Sequence, residues 1–381
     1  MTVLLIGNYD GDQQESMLRF SQFLAGGLNR TAKVTGVEVF QPPRILGKLF
    51  ADTASGLGKW AGYVDKLILA PLLLAAKRLS ARNGTLYHIC DHSNAYYRAV
   101  LPDDRLSVTC HDVLAIRGAL FADASVHARP SGIGAYLQRL IAHHLVRIPR
   151  IACVSRATAD DLRRIRDILA PEREAAIDVI HNGLNADFRP VPERSAAHPE
   201  PYLLHVGDEH PRKNRRLIVD LLADLSAANP RLRACFAGRR LASEHWTHAR
   251  RLGVDHRIEE SIRPTHDELL RLYSHCVAFV FPSYSEGFGW PLIEAQACGA
   301  PVLASDLPVL REVSGGAAIH CGPDDVAAFA TAFAKLQDER VRDLWIQKGY
   351  ENVQRFLPGV IAERYADFLA GPASGTRHNP S

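Results

Sequence analysis

Two acidic residues, Glu286 and Glu294, bracket a segment in which almost every residue type has a chemical or conformational use. It runs Phe281-Pro282-Ser283-Tyr284-Ser285-Glu286-Gly287-Phe288-Gly289-Trp290-Pro291-Leu292-Ile293-Glu294 and goes on to Gly299 and Val302. The pattern predicts a strand, a glycine-containing loop, a helix and another strand. Gly287 and Gly289 let the backbone come close to a ligand. Pro291 suits the first helical position and Gly299 the residue just past the helix end. A helix start carries about half a positive charge and unpaired N–H groups, so the loop ahead of Leu292 is a candidate anion site. Eight residues of ideal helix rise ~12 Å, and Glu286 lies in the loop, so the two acids are closer than that. Carboxylate pairs that hydrolyse glycosides sit about 5–9.5 Å apart. The spacing better fits an elongated ligand with hydroxyls at each end and phosphate between them, since an ionised carboxylate can accept two hydrogen bonds from a vicinal diol. A nucleotide sugar has that layout.

A second cluster supplies the countercharge. The apolar run 202–207 ends at Gly207, and Asp208-Glu209-His210-Pro211-Arg212-Lys213-Asn214 follows. Arg212 and Lys213 at the start of the next helix could clamp a diphosphate, each charge-assisted hydrogen bond being worth about 1.5–3 kcal/mol. Two cations and a helix end could neutralise a departing nucleoside diphosphate without a metal.

On these residues the second half resembles the retaining, GT-B-fold glycosyltransferases of family four, in their R-K-N subgroup. It is similar to their E-x7-E signature as Glu286 to Glu294 and to their G-x4-R-K-N stretch as Gly207 to Asn214. The resemblance is strong over residues 200–330. It is weaker in His111-Asp112, in Val154-Ser155-Arg156-Ala157-Thr158-Ala159-Asp160 and in His181-Asn182-Gly183. The resemblance implies that Glu286 holds hydroxyls of the transferred sugar and that the backbone of Gly287, Phe288 and Gly289 faces sugar and diphosphate. It further implies that Glu294 holds the ribose and that Arg212 and Lys213 bind the diphosphate. Gly238, Ile262 and Arg263 would border the base, and His111 would approach the sugar from the opposite domain. One departure stands out: many relatives have arginine directly after the glycine matching Gly207, where this chain has Asp208.

The elements that must position these groups form two successive α/β halves. Near-continuous apolar strands are predicted at 3–7, 34–40, 86–90, 106–110, 151–155 and 177–181. A second set falls at 202–207, 232–237, 277–281, 301–304 and 317–320. Such strands, separated by helical patterns, imply parallel sheets covered on both faces. The expected architecture is two Rossmann-like doubly wound domains facing a cleft, over residues 1–185 and 202–355. A proline-rich linker (186–201) joins them, a C-terminal helix (356–370) packs back on the first domain, and a polar tail (371–381) ends the chain. Ligands of such sheets bind beyond the carboxyl ends of the strands. That places Gly7, Gly11 and His92 on the acceptor side of the first domain.

Length and composition agree. The chain has 381 residues, 47% hydrophobic and 23% charged, which suits two or three globular domains and excludes a disordered or collagenous chain. A net charge of +3 gives no argument for nucleic acid. Seven cysteines without a C-x-x-C pair read as buried free thiols in a reducing compartment. The longest apolar run, 67–76, is interrupted by Pro71 and falls short of the roughly 20 residues of a membrane span. We therefore expect a cytoplasmic enzyme. Asp10-Gly11-Asp12 resembles the D-x-D metal motif of the other large glycosyltransferase fold, but it follows the first strand with no preceding nucleotide domain, so no metal is expected. Residues 44–82 carry seven basic residues against Asp52 and Asp65, interleaved with Trp60, Tyr63 and several leucines. This is a candidate contact with anionic lipid on the inner face of the cell membrane.

The expected activity is transfer of a sugar, with retention, from a nucleoside-diphosphate donor (GDP-mannose-like or a UDP sugar) to a hydroxyl of a glycan or lipid-linked acceptor. The rival readings are a nucleotide-sugar epimerase of the same fold and a non-catalytic sugar-nucleotide or glycan-binding protein.

Overall fold

The computed structural model describes residues 1–12, 15–50, 56–121, 130, 132–173, 175–184, 187–192 and 200–371. The chain divides into two compact units. One comprises Met1–Asp123, Ala128–Gly183 and Pro358–Ser381, and the other is essentially Leu184–Leu357.

In the first unit the strands are β1 (Thr2–Ile6), β2 (Gly36–Phe40), β3 (Leu86–Ile89), β4 (Leu106–Cys110), β5 (Arg150–Cys153) and β6 (Ala176–Val179). All neighbours pair in parallel, in the order β2-β1-β3-β4-β5-β6. β4 is buried along its whole length because helices cover both faces of the sheet. The strand order reverses between β1 and β3, so the crevice beyond their carboxyl ends is where a ligand of this sheet belongs.

The C-terminal helix Pro358–Ala370 is part of this unit. The Tyr365 hydroxyl lies 3.0 Å from Thr109 Oγ1, on β4. The guanidinium of Arg150, on β5, donates to the Gly371 carbonyl at 2.7 Å. Gly27 leaves room for Ala362, where an added Cβ would come within 2.9 Å of the alanine's own Cβ. The expected helix at 356–370 thus starts at Pro358, and Phe356 stays in the second unit within the 3-10 turn Gln354–Phe356. Of the expected tail, residues 372–381 lie outside the described residues.

The second unit contains β7 (Tyr202–Gly207), β8 (Arg233–Gly238), β9 (Ile258–Ile262), β10 (Ala278–Phe281), β11 (Val302–Ser305) and β12 (Ile319–Cys321). Their order is β12-β11-β10-β7-β8-β9, again parallel, and the reversal falls between β7 and β10. β9 is absent from the predicted set. Its sequence, Ile-Glu-Glu-Ser-Ile, lacks an apolar run because it is an edge strand whose acids have neighbours: Glu259 pairs with Arg233, and Glu260 accepts from the Leu241 N–H at 2.5 Å. The expected linker is also partly structured. Phe188 is buried with its ring against His266 (5.1 Å) and Tyr273 (6.2 Å), and the Val191 N–H donates to Ser274 Oγ at 3.0 Å. An aromatic anchor thus fixes residues 187–191 to the second unit despite the prolines. Residues 186 and 193–199 of that linker lie outside the described residues.

Candidate functional site

In the second unit the motif residues gather at the β7/β10 reversal. β7 ends at Gly207, and a 3-10 turn, Pro211–Lys213, leads into the helix Arg215–Leu225. Asn214 joins the two in a left-handed conformation (φ 49°) that its short polar side chain tolerates, and its amide donates to the Pro323 carbonyl at 2.7 Å. The loop after β10 is tied to the same turn, since the Tyr284 N–H donates to the Arg212 carbonyl at 2.8 Å. Backbone from two strand ends therefore fixes where the two cations point.

They point at Glu286. Arg212 Nη1 lies 2.8 Å and Lys213 Nζ 2.6 Å from the same oxygen, Glu286 Oε1. Arg212 also donates to the Ser285 carbonyl at 3.2 Å. Lys213 is buried, with its ammonium 4.8 Å from the centre of the Phe281 ring, a cation–π contact. Burial acts to raise the pKa of Glu286, but Lys213 and Arg212 overcome it and hold the carboxyl at about 2. Burial pushes the Lys213 ammonium down, against the pull of Glu286. The folded-state pKa of Glu286 is depressed, so its contribution to stability is present above the ordinary value of 4.5 and is lost as pH falls through about 2. Two cations on one carboxylate leave one positive charge in surroundings of low dielectric, which is suited to an anionic group.

The glycines permit this close arrangement. Gly289 caps the helix Trp290–Ala297 at φ 101°, and a Cβ there would meet Leu310 Cδ2 at 2.9 Å. Gly207 and Gly238 are register partners at the ends of β7 and β8. Gly238 has φ 122°, and its Cβ would fall 2.2 Å from the Gly207 carbonyl oxygen. Gly238→Ala is therefore expected to destabilise the chain by about 2 kcal/mol or more. Gly322→Ala, whose nearest neighbour would be Asp325 Cβ at 3.4 Å, is expected to change stability by about 1 kcal/mol at most. Thermal unfolding of both variants checks this.

The remaining predicted donor residues are placed as follows. Glu294 sits on the helix Trp290–Ala297 and accepts from the Tyr273 hydroxyl at 3.0 Å. The Phe288 ring is buried against Trp290 and Phe356, so this residue and Gly287 offer a ligand only backbone. Pro291 takes the second helical position rather than the first. Leu292 differs more from expectation: its side chain is fully buried and its N–H donates to the Gly289 carbonyl at 3.0 Å. Leu292 thus anchors the helix start instead of presenting a donor, because the first turn closes on itself and Pro291 has no N–H. Ile262 ends β9 with its side chain exposed, and Arg263 (φ 50°) donates its N–H to the Gly238 carbonyl at 2.8 Å.

Sequence reasoning missed Arg215. This buried guanidinium donates to the carbonyls of Gly207 (2.6 Å) and Arg239 (2.9 Å) and pairs with Glu209 at 2.5 Å. It ties together the loops after β7 and β8. Its position directly after Arg-Lys-Asn was the available signal.

In the first unit the predicted residues gather at the β1/β3 reversal. Gly7 directly follows β1, its N–H donating to the Phe40 carbonyl at 3.0 Å, and Gly11 is buried in the 3-10 turn Asp10–Asp12. His111 follows β4; its Nε2 donates to the Cys90 carbonyl at 2.9 Å, and its ring stands edge-on to Phe20 at 4.7 Å. Burial lowers its pKa, which favours the neutral ring. His92 Nδ1 lies 3.1 Å from Asp91 Oδ1. The His111 backbone N–H points to the same nitrogen, at 3.4 Å. Asp91, also not anticipated, accepts from Asn8 Nδ2 and Ser93 Oγ, each at 2.6 Å. Burial opposes its charge, but these bonds and His92 hold its carboxyl well below the usual range; Asp91 in turn raises the His92 pKa. The pair Cys90-Asp91 directly after β3 was the legible hint. The carboxylates of the D-x-D-like stretch are engaged, Asp12 by Lys66 at 2.9 Å and Asp10 by Gln41. Among the described residues no cluster of three or more His, Cys, Asp or Glu is arranged to hold a metal.

This geometry can be set beside known proteins. Residues 190–352 match the family model described as Glycosyl transferases group 1. The chain carries a glycosyl transferases group 1 domain. That domain spans the whole β7/β10 cluster, from Gly207 through Glu294. The chain is 26% identical over 267 residues to the O-antigen chain mannosyltransferase RfbU of Salmonella typhimurium, covering 68% of this chain and 69% of that protein. It is 27% identical over 301 residues to the O-antigen chain mannosyltransferase B of Escherichia coli, covering 75% and 77%. Among solved structures, the sucrose-phosphate synthase of Thermosynechococcus elongatus superposes with a TM-score of 0.74 at 20% identity, over 96% of this chain and 98% of that one. HepE of Anabaena, solved in complex with UDP-glucose, gives 0.70 at 16% identity, over 97% and 99%. These likenesses, with the two parallel six-stranded sheets, show a GT-B fold built of two Rossmann-like units.

Proposed function

We propose that this chain is a retaining glycosyltransferase that moves a sugar from a nucleoside-diphosphate donor to a hydroxyl of a glycan or lipid-linked acceptor, in polysaccharide or glycolipid assembly. The observation that carries the reading is the convergence of Arg212 and Lys213 on Glu286 at the β7/β10 reversal. A nucleoside diphosphate takes over the cations, and Glu286 turns its charge to the sugar hydroxyls. Glu294 holds the ribose, and Gly238, Ile262 and Arg263 border the base. We assign His111 to the transferred sugar and Gly7, Gly11 and His92 to the acceptor. The anomeric carbon's bond to the diphosphate oxygen breaks as its bond to the acceptor oxygen forms on the same face, and the acceptor's proton passes to the departing phosphate. Arg212 and Lys213 stabilise the charge that develops there, so positioning and electrostatics do most of the catalysis and no metal is required. The mannosyltransferase names of the two curated relatives favour a mannosyl donor. Seven free, buried thiols favour a reducing, cytoplasmic setting.

The test is a panel of nucleoside diphosphates and their sugars read by thermal shift, followed by transfer assays on glycan and lipid-linked acceptors. One base is expected to raise the melting temperature, since a ligand that binds only the folded chain stabilises it. Its sugar is then expected to be transferred with the anomeric configuration kept. Conversion of the free nucleotide sugar without acceptor would mean an epimerase; binding without turnover would mean a non-catalytic protein.

A further inference from the structure

Nearly half of the large apolar side chains exposed among the described residues fall between Ile45 and Leu79. Most belong to one continuous helix over residues 56–80, α-helical at Gly56–Val64 and Ala70–Ser80 with a π turn, Asp65–Leu69, between. One side of it is set into the first unit, with Gly58, Gly62, Asp65, Ala70 and Leu74 buried. The other side shows Leu57, Trp60, Ile68, Leu72 and Leu79, at separations of three, eight, four and seven residues. These are near multiples of a helical turn, so the five share one stripe. Leu57 is 74% and Leu79 86% exposed. A helix on a globular surface normally turns one apolar side inward and a polar side to water; this one is apolar on both.

The surface is built rather than frayed. Buried Asp65 accepts from the backbone N–H groups of Ile45 (3.0 Å), Leu46 (2.8 Å) and Gly47 (2.8 Å) and from the Tyr9 hydroxyl (2.8 Å). This pins the 3-10 turn Leu46–Leu49 against the helix, with Leu49 projecting. Asp65 is the single acid among the described residues of 44–82, and it is inside, so the outer face carries cations alone. Lys66 meets Asp12 and Lys77 meets Glu38. Lys48, Lys59, Arg78 and Arg82 have no carboxylate partner among the described residues.

The charge decides what covers this face. Protein interfaces are depleted in lysine, and two copies of the same patch would set one positive rim against another. A bilayer with anionic headgroups suits both parts at once: aliphatic and Trp side chains enter the boundary layer while Lys and Arg stems reach up to lipid phosphates. No described helix is long and apolar enough to cross the membrane. We propose that the helix over residues 56–80, with the Leu46–Leu49 turn, seats the first unit flat on an anionic bilayer. This goes beyond the transferase reading and does not depend on it.

The test is co-sedimentation of the full chain with vesicles of phosphatidylcholine, with and without phosphatidylglycerol. Binding is expected to the mixed vesicles and to fall when salt screens the cations. Leu57→Ser with Trp60→Ser, and Ile68→Ser with Leu72→Ser, should each weaken partitioning by about tenfold or more, from the apolar area no longer buried. Lys48→Glu with Lys59→Glu should weaken it too. Leu252→Ser with Leu344→Ser, exposed in the second unit, should leave it unchanged. All these side chains are exposed, so the melting temperature and its response to nucleoside diphosphates should stay as in the parent; that response reports separately on the Arg212–Lys213 site. The proposal is overturned by absence of binding to the mixed vesicles, by stripe variants that bind like the parent, or by a dimer in solution that the stripe variants dissociate.

Discussion

Lys213→Met is expected to lower turnover by about two to three powers of ten while the chain stays folded, the usual loss when one preorganised group facing developing charge is removed. The reason lies in where Lys213 sits. Its stem lies buried beside Phe281, and its ammonium is 2.6 Å from Glu286 in a setting where water screens little. Methionine keeps the apolar stem in place and deletes only the charge, so packing changes little. Arg212 remains on Glu286 at 2.8 Å, which spares the carboxylate from being buried alone. The measurement is kcat at saturating donor beside a melting curve. Near-parental turnover in a folded variant would remove Lys213 from the chemistry and with it the proposed leaving-group site.

Glu286→Gln should separate two quantities that a merely structural residue would move together. Transfer should fall by about a hundredfold or more if, as proposed, Glu286 is the charged acceptor of the sugar hydroxyls. Affinity for the bare nucleoside diphosphate should rise, by about tenfold, since the carboxylate no longer competes for Arg212 and Lys213. The carboxyl is held at about 2, so it stays ionised from pH 5 to 8 and its titration should not alter donor affinity over that range. Calorimetry with the diphosphate and a transfer assay give both numbers. A parallel loss of binding and turnover would show that Glu286 only props up the loop.

How far the sequence disclosed this molecule depended on whether each segment is defined locally. Tyr202–Gly207 and Leu106–Cys110 are read from sequence to the residue, because a strand buried on both faces is written as an apolar run. The edge strand Ile258–Ile262 is invisible to that signal, since its acids are satisfied by residues far along the chain. The spacing of Glu286 and Glu294 is legible, and so is the basic pair at 212–213. That Arg212 and Lys213 meet at one oxygen of Glu286 is a tertiary fact, set by the Tyr284–Arg212 backbone bond. Arg215, Asp91 and Asn8 escaped notice for the same reason: each is a polar residue among many until the sheet reversal brings its partners together. Leu292 shows the opposite failure, where a sound rule about helix starts is overruled by a first turn that consumes its own donor.

The chain leaves its first unit at Gly183 and returns to it at Pro358. The helix Pro358–Ala370 closes the interior of that unit through Tyr365 and the Arg150–Gly371 bond. During synthesis on the ribosome the earlier-made portion must therefore wait, with its apolar sheet face uncapped, until the entire second unit and the final helix have emerged. The second unit is essentially the single stretch Leu184–Leu357, so its packing does not wait for that helix. A nonsense codon shortly after position 357 would spare the second unit and strand the one that was made first.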